Sequence, residues 1–299
     1  MKLNIDIEQE VFFGSVAISI DVQKPIRHLI LHAKDLNIES ANVYTATNDK
    51  TLVSAENEGF VYKENQFFVI PMTSLIAPGS YLAVLSFAGN ISTSLNGLYI
   101  SRYVSSETNQ VVKLATTQFE AGYARMVFPS FDEPSFKATF VLSVTHASNY
   151  SAISNMPVDY LETNQALTTT VFRETVRMST YLVTLVVSDF VSKSVMSRLF
   201  NDSVLLILFG PFYFRAQPHQ TFLSTLIILD KVDYALEVGP KLLKYYADFF
   251  KIDYPLPKMD SISIPDFAMG AMEGWSLVRD FALIFDLFLQ LIFFSIYYI

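Results

Sequence analysis

The chain has 299 residues, 21 Lys plus Arg against 29 Asp plus Glu, and a formal net charge of −8 at pH 7. Hydrophobic residues at 51% and aromatics at 14% exclude intrinsic disorder, and an acidic chain without basic clusters is expected to bind no nucleic acid, because phosphate contacts need concentrated Lys and Arg. The absence of cysteine excludes disulfides, thiolate metal sites and a Cys nucleophile together. Met1 leads into KLNIDIEQEVFFGSVAISIDV, where no basic segment precedes an apolar one, so no secretory signal is expected.

The first 200 residues read as strands. In GSVAISIDV the apolar Val16, Ile18, Ile20 and Val22 alternate with small or polar residues, and the pattern returns in HLILHA (28–33), QFFVI (66–70), YLAVLSF (81–87), LYISRYV (98–104), VVKLATTQF (111–119), ATFVLSV (138–144), TVFRETVRM (170–178) and YLVTLVV (181–187). Period-2 segments separated by Gly, Pro, Asn and Ser clusters predict antiparallel, sandwich-type sheets. His28 and His32 have the i, i+4 spacing of a zinc pair, but on a strand at ~3.3 Å per residue their Cα atoms lie about 13 Å apart, too far for one ion.

Beyond residue 200, SVLLILFGPFYFRAQPHQ (203–220) is an apolar run broken by Gly210 and Pro211. A helix is expected from Val238, with Pro240 in its first turn and Leu242, Tyr245, Tyr246, Phe249 and Phe250 along one face. SISIPDFAMGAMEGW (261–275) reads as a strand, a turn at Pro265 and a second strand at a sheet edge. Residues 281–299 form an apolar run interrupted only by Asp286 and Gln290, which reads either as a membrane anchor or as an apolar end of other origin.

No GxSxG, P-loop or dinucleotide fingerprint occurs. On residue types alone, FDEP (131–134) is a turn with two acids and is expected to be a solvated loop held by Pro129 and Pro134. Glu273 is the better site candidate, because an acid in an otherwise uncharged edge strand offers backbone groups and one carboxylate together to an extended peptide.

TTQFEAGYARMVFPSFDEPSFKATF (116–140) resembles the TQFE…AR…FPCFDEP…KA.F block of the aminopeptidase N family of zinc metallopeptidases, and PDFAMGAMEGWSLV (265–278) resembles its exopeptidase motif, usually GAMENWG. LHAKDLNI (31–38), VSDF (187–190) and YPLPKMD (254–260) stand in the family's order too, so the resemblance covers about 5–200 and 232–278. It implies a mainly β N-terminal domain, a large antiparallel sandwich or saddle over 1–198, then the start of a thermolysin-like α/β catalytic domain over 199–280, with 281–299 a tail outside the family pattern.

The resemblance also implies removal of single N-terminal residues from peptides with one zinc ion. Glu120 and Glu273 would be the carboxylates that hold the free α-ammonium, Gln118 would line the first subsite, and Gly270, Ala271 and Met272 would supply edge backbone for the substrate. HExxH and the third Glu ligand do not occur in the 299 residues, so no zinc is expected to bind the residues present and the chain is expected to be inactive by itself. Gly274 stands where the family has Asn, which is expected to loosen the edge strand. A second reading is a short form that binds peptide N-termini or a partner subunit without turnover, and a third is a structural β module. The family includes cytosolic members and membrane-anchored ectoenzymes, the latter favoured here, and oligomeric state stays open.

Overall fold

The computed structural model describes residues 1–280 apart from 56–57, 106–107, 200–201, 211–222 and 269–270, and at 197–199, 202–210, 223–232, 235, 273 and 280 it describes the backbone. The run 281–299, with its membrane-anchor reading, lies outside the described residues, as does most of 203–220 after Gly210. Among the described residues no helix is long and apolar enough to cross a membrane.

The strands, in chain order, are β1 (Lys2–Asp6), β2 (Val11–Val22), β3 (Ile26–His32), β4 (Asn37–Thr45), β5 (Phe60–Tyr62), β6 (Phe67–Ile76), β7 (Gly79–Asn90), β8 (Gly97–Val104), β9 (Val111–Gln118) and β10 (Ser143–Ala147). They continue with β11 (Ser151–Ser154), β12 (Val158–Asn164), β13 (Leu167–Phe172), β14 (Leu185–Ser188), β15 (Val191–Leu199) and β16 (Asp202–Gly210). After the helix α1 (Leu223–Phe250) come β17 (Lys258–Ser263), β18 (Ala271–Gly274) and β19 (Leu277–Asp280). The fold is mainly β, as the alternation predicts.

Two compact units divide the chain, the first from 1–100, 117–148 and 159–183, the second from 101–116, 149–158 and 184–299. The first holds a seven-stranded sheet in the order β12-β13-β10-β1-β2-β7-β4 and a three-stranded sheet β3-β6-β5. Its strands bury one face: Leu3 and Ile5 of β1 and Ala83, Leu85 and Phe87 of β7 are buried, while Lys2, Asn4 and Asp6 between them stay exposed. That alternation fixes register, since a one-residue slip would turn every one of these side chains to water. Within the seven-stranded sheet β1 and β10 run parallel, with Lys2 opposite Ser143.

His146 of β10 is buried to 1% exposure inside this sheet. Its Nδ1 donates to the Ala147 carbonyl at 2.9 Å, and its Nε2 lies 3.0 Å from the Thr170 hydroxyl, a group that can donate to it or accept from it. Burial lowers its pKa below the usual 6.5. The unfolded chain therefore binds this proton first, so its contribution to stability is complete above pH 6.5 and is lost as pH falls from there toward the folded pKa. Urea denaturation of the wild type should show stability falling below pH 6.5 by up to about 1.4 kcal/mol per pH unit from this site. His146→Gln should flatten that slope, and an unchanged slope would remove His146 as its source.

The strand ends depart from the sequence pattern at three places. ATFVLSV is a strand only from Ser143, TVFRETVRM only to Phe172, and YLVTLVV opens with a 3-10 turn (Thr180–Leu182) before β14. Outside these strands the apolar residues are buried without a continuous ladder: Leu142, Leu182 and Val183 are core residues, and Met178, also buried, pairs with Ala138 through an isolated antiparallel bridge.

The second unit contains β11, β14 and most of β9, together with a five-stranded sheet in the order β15-β16-β17-β19-β18. β15 and β16 form a hairpin, and α1 carries the chain from β16 to its parallel neighbour β17, the helical crossover that parallel pairing requires. α1 starts at least by Leu223, not at Val238, and Pro240 sits inside it rather than in the first turn. Its buried stripe is also not the aromatic one. Leu236, Gly239, Leu243 and Ala247 face inward, Tyr245 and Phe249 are exposed, and the aromatics stack on one another at 6.2 Å for Tyr245–Phe249 and Tyr246–Phe250. Small residues at 239 and 247 let the helix axis approach β15 and β16, which large rings would hold off.

Candidate functional site

β9 becomes buried along its length and ends in Gln118, which is 2% exposed. Neither the oxygen nor the nitrogen of its side-chain amide has a hydrogen-bond partner among the described residues. A buried amide left unsatisfied costs about 1–3 kcal/mol, so such a group calls for a functional explanation. Phe119 follows, packed edge-on against Phe128 at 6.0 Å, and Glu120 then stands half-buried at the corner, where the Glu120–Ala121 peptide is cis.

What holds this corner is the part the sequence reading missed. Tyr123 donates its amide to the Phe119 carbonyl at 2.8 Å, and a 3-10 turn (Ala124–Met126) brings Arg125 onto Asp132. Asp132 is 4% exposed, so of the two acids in FDEP only Glu133 is solvated, and Asp132 departs from the expected solvated loop. Its Oδ2 accepts from Arg125 Nε at 2.8 Å and from the Arg125 amide at 3.3 Å, and its Oδ1 accepts from the Thr180 hydroxyl at 2.5 Å. The guanidinium also donates to the Asp132 carbonyl at 3.1 Å and to Gln66 Oε1 at 3.2 Å. Three charge-assisted donors explain why a carboxylate can be buried here.

His32 of β3 accepts the Asp132 amide on Nδ1 at 3.3 Å, and burial, aided by the Arg125 charge, lowers its pKa. Its partner in sequence, His28, is exposed on the same strand, so the i, i+4 pair does not converge. The described residues do not fit a zinc ion: among them no three His, Cys, Asp or Glu side chains come together.

In the second unit β18 is an edge strand, paired to β19 alone among the described residues. Ala271, Met272, Glu273 and Gly274 stand opposite Asp280, Arg279, Val278 and Leu277. Met272 is 1% exposed and anchors the strand, while Gly270 lies outside the described residues and Glu273 is described by its backbone. An edge strand carries an unpaired row of backbone donors and acceptors, a template for an extended peptide.

Behind this hairpin lies a buried ion pair, Lys258 Nζ with Asp260 Oδ2, at 5% and 1% exposure. Burial lowers the Lys258 pKa and raises that of Asp260, and the attraction between them opposes both shifts. Opposite charges at i and i+2 of a strand share one face, so KMD in YPLPKMD carried the signal.

Sequence comparison identifies the chain's relatives. The model of the Peptidase M1 N-terminal domain matches residues 1–182, and that of the Peptidase family M1 domain matches residues 234–287. Glutamyl aminopeptidase of Sus scrofa is 35% identical over 288 residues, covering 94% of this chain and 28% of that protein. Endoplasmic reticulum aminopeptidase 1 of Homo sapiens is 35% identical over 289 residues, covering 96% and 29%, and aminopeptidase A of Gloydius brevicauda is 35% identical over 291 residues, covering 96% and 28%. The chain thus spans under a third of the length of these curated relatives. With one family model covering more than half of its residues, the chain belongs to the M1 peptidase family.

Proposed function

We propose that this chain is the portion of an M1 aminopeptidase that receives the free N-terminus of a peptide. Glu120 and Glu273 are the carboxylates for the α-ammonium, Gln118 hydrogen-bonds the first residue, and Gly270, Ala271 and Met272 supply backbone to the extended substrate. In this reading residues 1–198 are the N-terminal β domain and 199–280 belong to the catalytic domain, while the family match runs on to residue 287, into the 281–299 segment expected to lie outside it. The observation that carries it is the buried Gln118 amide with both ends unpaired among the described residues, two residues before the half-buried acid Glu120. The unpaired edge of β18 supports the backbone part. Because the residues described do not fit zinc, no hydrolytic step is derived from them.

Calorimetry of the full chain with tri-alanine amide and its N-acetyl form tests the reading. The free amine should bind and the acetylated peptide should not, and Glu120→Gln should weaken binding about ten- to hundred-fold, the worth of one hydrogen bond to a charged group. Equal binding of the two peptides would overturn it. The chain supplied with zinc should release no product from alanyl p-nitroanilide, and turnover would refute the assignment of binding without hydrolysis to these residues.

A further inference from the structure

The turn that joins β18 to β19 consists of Trp275 and Ser276, and Ser276 has φ of +68°, a conformation that favours glycine. Such a residue persists when its surroundings over-determine it. Here both turn carbonyls are held from outside the hairpin. Asn155, just after β11, donates from Nδ2 to the Trp275 carbonyl at 2.8 Å while its Oδ1 accepts the Thr184 amide at 2.9 Å. The Ser276 carbonyl accepts from Lys258 Nζ at 3.2 Å and from the Asp260 amide at 2.9 Å.

The ties run in both directions. Ser276 Oγ donates to the Lys258 carbonyl at 2.6 Å, which also accepts the Tyr254 hydroxyl at 2.8 Å. The third ammonium proton of Lys258 goes to the Ser154 carbonyl at 2.8 Å, so one side chain joins β11, β17 and the turn. Asn155, Lys258, Asp260 and Ser276 are all at or below 5% exposure. An ammonium offers three rotatable donors from one point, which no apolar side chain of similar volume reproduces. Replacing a buried ion pair by apolar residues is often neutral for stability, so stability alone does not account for this pair.

We propose that Lys258, Asp260 and Asn155 are positioning residues that clamp the Trp275–Ser276 turn and thereby set the register and rigidity of the peptide-binding edge Ala271–Gly274. The inference rests on the peptide-binding reading above for its function, and on the clamp geometry for its mechanics.

The test uses the full chain carrying Lys258→Met with Asp260→Leu, and separately Asn155→Asp, which keeps the acceptor for the Thr184 amide and removes the donor to Trp275. Hydrogen exchange should accelerate about tenfold or more at 271–274 and 277–280, with amides of β1 and β2 unchanged and the melting temperature of the double variant near that of the wild type. Affinity for tri-alanine amide should fall with the same variants. Unchanged exchange at the edge in both variants would overturn the clamp, as would acceleration spread evenly over the second unit. If the wild type binds free and acetylated peptide alike, the peptide-binding reading is lost while the exchange rates still decide the clamp.

Discussion

Arg125→Ala is expected to destabilise the chain by about 3–5 kcal/mol, because it leaves the Asp132 carboxylate buried without its cation. The cost is large here for three reasons. Asp132 is 4% exposed, so water cannot replace the lost partner. The guanidinium also serves the Asp132 carbonyl and Gln66, so three side-chain hydrogen bonds vanish at once. The Arg125 carbonyl accepts the Lys34 amide at 2.9 Å, so movement of this turn disturbs the chain after β3 as well. Asp132→Ala should cost less, since Arg125 retains 15% side-chain exposure and can turn to solvent. The double variant should cost clearly less than the sum, with a coupling of about 1–3 kcal/mol. Urea denaturation at pH 7 measures all three. A loss below about 1 kcal/mol for Arg125→Ala would mean that the pair behaves as an exposed one, and that water reaches the Asp132 carboxylate after all.

How much of this was legible in the sequence follows from what sequence patterns record. Alternation reports burial on one face of a strand, and that is why β2 and β7 are visible in VAISIDV and YLAVLSF. It fails where apolar residues are buried in irregular backbone, as at Leu142 and Leu182. The α1 stripe failed for a related reason. Aromatic residues at helical spacing suggested the inner face, but close packing selected Gly239 and Ala247, and small residues carry little weight in a hydrophobicity count. Of the proposed site residues, Glu273 stood out on residue types alone, as an acid in an otherwise uncharged edge strand, and Gln118, Glu120, Gly270, Ala271 and Met272 only through the resemblance. The contacts that support the first corner, Arg125 to Asp132 and Thr180 to Asp132, span 7 and 48 residues, and nothing local marks Thr180 as a partner of Asp132. The same holds for Asn155 and Trp275, 120 residues apart.

Gly274 is where family pattern and local geometry point in opposite directions, and substituting the family's asparagine should therefore harm this chain rather than repair it. A Cβ at Gly274 would stand 2.4 Å from Thr184 Oγ1 and 2.5 Å from the Leu277 carbonyl oxygen, distances that no side chain tolerates. The second contact is with the backbone of the paired strand, which cannot swing aside without opening the hairpin. The first is nearly as fixed: Thr184 is fully buried, its amide donates to Asn155, and its carbonyl accepts the Ser154 hydroxyl at 2.7 Å. Gly274→Ala should thus destabilise by about 1–3 kcal/mol, the usual cost of overpacking, and Gly274→Asn by more because a buried amide is added. Thr184→Ala placed on Gly274→Ala should recover part of the loss and no more, since the Leu277 contact remains. In this chain glycine is what lets β18 lie close to β19, so the edge is tightened by the residue that the family pattern suggested would loosen it. Melting of the full-length variants decides between the two views: a Gly274→Asn chain that melts at or above the wild type would show that the hairpin has room for the family residue, and a clear fall would show that the close approach is a constraint of this backbone.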